Sequence, residues 1–558
     1  MAVNLPIHLF LMSETTTALK KARALDLLQI AIIVFLAAVP LFLSFPYRVN
    51  IFLSWEGAYR LSEGQVPYKD FGMPLGFMYW VIPSVFFKLF GAQLITLVKA
   101  QVFINLLSGF AFMSILRSLT VPAGIRFLAV LLYCISYSFF NFWPWYNHTV
   151  IVYELIGIAF LLKYMFMAAA PYRWLLLSVS ALFIFFSFFT KQDGGALGFI
   201  LASVLLLYHC LHHKRWLPFV LFTGSFLVIS FCVIAPFTAF NFGYWFNYGQ
   251  APHTARFSVA EIITDFFAGS AWIKFYLFVI ALLVIAYYKS WRQFVQEEKQ
   301  GVFLLLTLGV LAEAAILQVT SYTPPDNNIF FHSFAVAFIL TSLSNFLKLD
   351  FLKAKPLFTT AFFLLLWWSS SFWKYIQRVT DRFMPTADAP IATSENMVNR
   401  STYMLSREQP EIPMSEWVFS GLKSFEKIYM PKPTAEGLQR LLRSPLIKNG
   451  PSLQVLNMTE LTPLIIEMNY ASERGPSVPL WHHLGVAMFN KEAAVYEEAI
   501  SREKYDLVLF EYIPALNNFY PFRVRDSLLV HYQKTDSFPA PRRGDTRGMI
   551  EIYQKKIN

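Results

Sequence analysis

Residues 55–90 read WEGAYRLSEGQVPYKDFGMPLGFMYWVIPSVFFKLF. Whether the apolar half, residues 74–90, crosses a bilayer decides how the whole chain is threaded. That half is short, holds Pro83 and Lys88, and ends before Gly91. It reads equally as a span or as a helix lying in the interface. A span needs about 20 apolar residues. Runs of that kind lie at 25–45 and near 93–116, 124–141, 148–168, 173–190, 195–211, 216–236, 271–288, 301–320, 329–347 and 356–373. If 74–90 lies flat, the later basic clusters fall on the side of Lys20, Lys21 and Arg23. These are Arg117/Arg126, Lys163/Arg173, Lys214/Arg215, Lys289/Arg292/Lys299 and Lys348/Lys353/Lys355. That places 15 of the 24 basic residues of positions 1–374 inside. If 74–90 crosses, every later cluster flips outward. The charge bias therefore predicts about eleven spans.

The expected fold class follows: an α-helical polytopic membrane protein with a small C-terminal extracytoplasmic α/β domain. Residues 1–24 are a cytoplasmic N-terminus without a cleavable signal pattern. Residues 25–374 are the multi-span part, with an outer loop at 47–92. Residues 375–558 form the outer domain, and the membrane is the plasma (inner) membrane. Composition agrees. The 558 residues are 56% hydrophobic and 18% aromatic, with 58 Phe. Only 15% are charged, against about 25% in a typical soluble domain. This excludes a disordered chain, a collagen-like fibre and an all-soluble enzyme. The net charge of +11 belongs to membrane-flanking loops, because 375–558 hold 22 basic and 21 acidic residues. Nucleic acid is therefore not an expected partner. Cys134, Cys210 and Cys232 all sit in apolar runs, so they build no disulfide framework or zinc site. In the tail, 453–457, 506–513, 527–533 and 549–554 read as short strands, and 491–504 as an amphipathic helix.

This threading gathers the unusual polar segments on the outer face. The first loop packs Glu56, Glu63 and Asp70 among Arg60, Lys69 and aromatics beside the membrane. Its pattern, W-E-G-x-Y followed by G-x-x-P-Y-K-D-F-G-x-P-L-G, resembles the first loop of the glycosyltransferase C superfamily. The likeness is to the protein-mannosyltransferase and aminoarabinose transferase branches. It extends to the layout of many spans, a long first loop and an outer C-terminal domain. The resemblance implies a membrane glycosyltransferase. Such an enzyme takes a sugar from a polyprenyl-phosphate carrier and passes it to a lipid, glycan or protein acceptor, inverting the anomeric centre. Where that family carries an acidic pair, this chain has Trp55-Glu56. Counting back from Gly64 puts Asn50 at the acid's place.

The chemistry needs a carboxylate to take the acceptor proton and cationic groups for the departing phosphate. Glu56 and Asp70 are both candidates for the base. Pairing with Arg60 and Lys69 is the bland alternative, preferred for Glu63. Lys191 in TKQDGG would meet the carrier phosphate as a point charge. Arg256 could bind phosphate bidentately. Tyr146, Asn147, His148, Glu154, Asp193, His253, Asp326 and Asn327 are candidates for sugar or acceptor contact. Several of them are equally readable as aromatic belt, helix start or turn. Trp481-His482-His483 reads as surface or packing, and Glu313 as an acid inside a span facing other helices. No metal is required by any compact motif, although acids from different loops could converge on Mg²⁺ or Mn²⁺. No Gly-rich nucleotide cradle is present, which argues against a nucleotide-sugar enzyme or an ATP-driven pump. The competing readings are a transporter or flippase for a lipid-linked glycan, and a non-catalytic assembly protein that keeps the fold.

Overall fold

The computed structural model describes residues 5–48, 51–138, 141–166, 172–250, 258–287, 297–321, 330–370, 372–373, 376, 412, 414–449, 453–543 and 546–556. The first part is a bundle of helices. They are α1 (Leu5–Ala38), α2 (Ile51–Ser62), α3 (Met78–Phe90), α4 (Leu94–Ser118), α5 (Ala123–Tyr133), α6 (Tyr146–Phe166) and α7 (Arg173–Phe188). Then follow α8 (Gln192–His213), α9 (Leu217–Ile234), α10 (Val259–Ala268), α11 (Ala271–Tyr287), α12 (Glu298–Ser321), α13 (Phe331–Leu347) and α14 (Ala354–Trp367). Each of the eleven apolar runs read from the sequence is a helix. Among the described residues, six helices are long and apolar enough to cross a membrane, and α10 with α11, bent by 80°, makes a seventh. The remaining four runs form helices of 17 residues or fewer. At 1.5 Å per residue these reach about 25 Å, short of a core of about 30 Å.

Burial separates inner from outer helices. α6 is buried on nearly every face. On α9 only Pro218, Phe222 and Phe226 are buried, while Leu227, Val228 and Phe231 are exposed. A helix that is apolar all round and open on most of its surface is suited to lipid.

The C-terminal part is α/β. Strands β4 (Val455–Met458), β5 (Leu507–Tyr512), β6 (Tyr532–Pro539) and β7 (Met549–Lys555) form one sheet in the order β4-β5-β7-β6. β4 and β5 are parallel and the other pairs antiparallel. The helix Phe489–Ser501 leads into β5, close to the expected 491–504. The expected strand at 527–533 is a correction. Phe522–His531 is a helix, with Val524 and Leu528 buried one turn apart, and β6 begins only at Tyr532. The period-four burial outweighs the short apolar run that suggested a strand.

A second sheet joins the two parts. β1 (Phe45–Pro46), just before the first loop, pairs in parallel with β3 (Ile428–Pro431), which also pairs with β2 (Trp417–Phe419). Further along the loop, Gly72 N donates to Val478 O (2.8 Å) and Leu480 N to Gly72 O (2.9 Å). The first loop is thus stitched to the C-terminal domain by backbone hydrogen bonds.

Gly76, at the end of P-L-G, seats the loop on the bundle. A Cβ there would lie 1.7 Å from Phe189 O at the end of α7. Backbone on both sides cannot yield cheaply, so Gly76→Ala is expected to cost about 1–3 kcal/mol. Thermal unfolding of the detergent-solubilised protein should show a lowered Tm. Gly224→Ala, where a Cβ would meet nothing within 4 Å, is the control and should not lower it.

Candidate active site

α2 buries Trp55, Gly57, Ala58 and Arg60, and leaves Glu56 at the edge of a cleft beneath the C-terminal domain. Glu56 and Arg60 stand four residues apart, one turn along the same face. Arg60 Nε and Nη2 donate to Glu56 Oε1 at 2.9 and 2.7 Å. Oε2 accepts no hydrogen bond from a described residue. Arg60 is itself fixed from the other side. Its Nη1 donates to Gln65 Oε1 (3.1 Å) and to Glu473 O (2.8 Å), while Gln65 donates to Ser472 Oγ (2.6 Å). Burial pushes the Glu56 carboxyl up, and the Arg60 charge and hydrogen bonds recover only part of the shift.

The cleft holds a cavity of about 60 Å³. Its polar lining includes Glu56, Arg60, Asn457, Ser472, Glu473 and His482, with Tyr59, Tyr470, Tyr496 and Tyr520 around them. His482 lies between the rings of Tyr496 and Tyr520, each 5.6 Å away. Burial, and then the Arg60 charge, push its pKa down to about 3, so it is a neutral imidazole at pH 7. The packing reading of His482 was therefore half the picture, because the residue also lines the cleft. None of the C-terminal lining residues was picked out from the sequence as a site residue. The available signal was Tyr470-x-Ser472-Glu473, a polar pair beside a tyrosine in a segment without regular periodicity.

The other predicted residues fall in separate places. Asp70 does not line the cavity. Its Oδ2 accepts from Val66 N (2.7 Å), and its carbonyl accepts from Gly475 N (2.8 Å), so it ties the loop. Lys69 lies over the Phe240 ring and Glu63 is exposed. Trp55 stacks on Tyr59 and donates to Ala92 O (3.3 Å). Lys191, Asp193 and Tyr146 come together. The Lys191–Asp193 pair measures 3.0 Å, and Lys191 Nζ sits 5.8 Å from the Tyr146 ring centre. Tyr146 meets Tyr79, and Tyr79 meets Trp80, whose ring closes on Gly57. A wall of three rings thus separates Lys191 from α2 at the same end of the bundle. Asn147 is half-buried with an unbonded Oδ1. His148 is buried, with Nδ1 3.4 Å from Gln101 Nε2, and Tyr137 donates to its carbonyl (2.8 Å). Glu154 faces Glu313 of α12. No other described residue donates to the four carboxyl oxygens, so a hydrogen bond between the two requires one proton. His253, Arg256, Asp326 and Asn327 lie outside the described residues. Among the described residues, one group, His209, His213 and Glu298, could hold a metal ion.

One ionisable contact couples the domain to the loop after α9. Tyr244 donates to the buried Glu492. Burial raises the Glu492 carboxyl to about 7, and the Tyr244 hydrogen bond opposes the rise. A carboxyl raised on folding contributes stability that is present below its unfolded value of 4.5 and lost as pH rises through about 7. Wild-type Tm should therefore decline across pH 5–8. Glu492→Gln should flatten that decline and melt higher than wild type at pH 8.

No family model matches the chain, and no curated protein matches it. Solved structures do. The apo crystal structure of ArnT from Cupriavidus metallidurans is 11% identical, with a TM-score of 0.50 over 95% of this chain and 98% of that one. The same protein bound to undecaprenyl phosphate is 12% identical, with a TM-score of 0.49 over 94% and 97%. An Archaeoglobus fulgidus oligosaccharyltransferase in complex with zinc and sulfate is 10% identical, with a TM-score of 0.34 over 61% and 50%. The chain has the fold of ArnT over 95% of its length.

Proposed function

We propose that this chain is a membrane glycosyltransferase with Glu56 as general base. It moves a sugar from a polyprenyl-phosphate carrier to a lipid, glycan or protein acceptor on the extracytoplasmic face. The observation that carries the reading is the state of Glu56: held through one oxygen by Arg60, with the other taking no hydrogen bond from a described residue in a cleft roofed by the C-terminal domain. Such a carboxylate is aimed, partly desolvated and more basic than usual, which suits proton abstraction near neutral pH. Direct attack by the deprotonated acceptor would invert the sugar centre. Lys191, held by Asp193 at the same end of the bundle, would meet the departing phosphate. A cavity of about 60 Å³ holds roughly two waters.

The threading is part of this proposal. The first loop and the C-terminal domain touch, so an even number of crossings separates them. Ten spans from α4 to α14, with α10 and α11 counted as one and the four shorter helices crossing a locally thinned bilayer, satisfy this. A crossing α3 would not. Eleven spans then leave the N-terminus cytoplasmic and the C-terminal domain outside the plasma (inner) membrane.

The test is sugar transfer by the purified protein in liposomes, supplied with a panel of polyprenyl-phosphate sugars and envelope acceptors. Transfer with stoichiometric release of polyprenyl phosphate is expected, and its absence with every donor overturns the reading. Lys191→Met should raise the donor KM about tenfold or more by removing a charge-assisted contact, with a smaller change in kcat. The buried Glu154–Glu313 pair favours a second reading, transport along a path through the bundle. In that case Glu313→Gln would stop activity and Glu56→Gln would not.

A further inference from the structure

At the far end of α8 from Lys191, His209 and His213 stand one turn apart on the same face. Glu298, the first residue of α12, reaches across to both. Its Oε1 lies 2.5 Å from His209 Nδ1, and its Oε2 3.1 Å from His213 Nε2. One ligand atom from each residue falls within 4.8 Å of the others. The two helices are tightly packed here, since a Cβ on Gly301 would lie 2.2 Å from the Tyr208 hydroxyl.

We propose that His209, His213 and Glu298 form a binding site for a first-row divalent transition metal, with Zn²⁺ as the probe, clasping α8 to α12. Two imidazoles and a carboxylate are the donor set that such ions take, with a fourth position left open. Histidines at i and i+4 present their rings to one point. Tetrahedral zinc with bonds of about 2.0–2.1 Å needs neighbouring donors roughly 3.3 Å apart. With one ligand atom from each residue within 4.8 Å of the others, the three donors reach that spacing by shifts of about 1–2 Å. An entry path exists. A cavity of about 670 Å³ is lined by both histidines together with Arg173, Arg215, Trp174 and Trp216. His209 is buried and His213 open to this side. The site lies about 27 Å along α8 from Lys191, at 1.5 Å per residue. It is thus separate from the proposed transferase centre, and the clasp is independent of that reading.

The experiment uses full-length, tag-free protein stripped with a chelator and titrated with Zn²⁺ alone against a chromophoric competitor. One Zn²⁺ per chain is expected in wild type, held at least about tenfold more weakly in His213→Ala and in Glu298→Gln. His212→Ala, an exposed neighbour outside the group, should bind as wild type does. Glu298→Gln keeps the shape and hydrogen-bonding reach of the carboxylate, and gel filtration with circular dichroism confirms its fold. No binding in wild type overturns the proposal and leaves the three residues as an ion-pair cluster. Equal binding in wild type, His213→Ala and Glu298→Gln overturns it as adventitious metal.

Discussion

Glu56→Gln should lower sugar transfer by roughly 10²- to 10⁴-fold in kcat, the range that general-base catalysis contributes, while the protein stays folded. Glutamine keeps the side-chain volume, and its amide oxygen still accepts from Arg60. Arg60 keeps Gln65 and the Glu473 carbonyl. What is lost is the ability to take a proton. Asp70→Asn separates chemistry from structure. An asparagine oxygen can still accept from Val66 N, which is the one side-chain hydrogen bond described for Asp70, so transfer should remain near wild type. The pH profile adds a second readout. Because burial raises the Glu56 carboxyl, the acid limb of kcat/KM should sit above the ordinary carboxylate range, and Glu56→Gln should lack that limb. Full activity in Glu56→Gln would remove it from the mechanism. Loss in folded Asp70→Asn would move the base to Asp70.

The helical architecture was legible because it is written in run length. Each apolar run of about 20 residues has no other way to satisfy its backbone in lipid, and each became a helix. Glu56 stood out for a similar local reason, as an acid among aromatics beside a span. Its surroundings did not. Arg60 meets the Glu473 carbonyl across 413 residues, and no periodicity announces a contact of that range. The same holds for Asn457, Ser472 and His482. Asp70 reads in sequence as a second exposed acid, and its place in a turn, accepting the backbone N–H four residues back, is not announced there. The strand expected at 527–533 was misread over 527–531 because an apolar run of a few residues does not distinguish strand from helix. The metal group joins residues 85 or more apart. Its i, i+4 half was visible in the sequence, and its Glu298 half was not.

Arg542→Met should destabilise the protein by about 3–5 kcal/mol, the usual cost of leaving buried charge without its partner. Arg542 Nε donates to Glu511 Oε1 (2.5 Å) and Nη2 to Glu460 Oε1 (2.6 Å), and all three side chains are 2% exposed or less. Glu511 Oε2 also accepts from Glu460 N (2.8 Å), and the Glu460 carbonyl accepts from Tyr47 just beyond β1. The triad therefore anchors the C-terminal domain to the strand that leads into the first loop. Without Arg542 two carboxylates share one buried space. The cost of that crowding is present only while both are ionised. The variant's deficit should be largest at pH 8 and shrink as pH falls toward 4.5, the reverse of ordinary acid destabilisation. Arg542→Met combined with Glu460→Gln and Glu511→Gln should regain most of the loss, because uncompensated charge rather than a missing ion pair sets the cost. Thermal unfolding of the three proteins at pH 5 and pH 8 measures both effects. If the single variant melts with wild type at pH 8, the triad does not hold the domain to the loop, and the cleft over Glu56 rests on the other loop–domain contacts, among them the backbone stitching at Gly72 and Phe45 and the Arg60–Glu473 and Gln65–Ser472 hydrogen bonds.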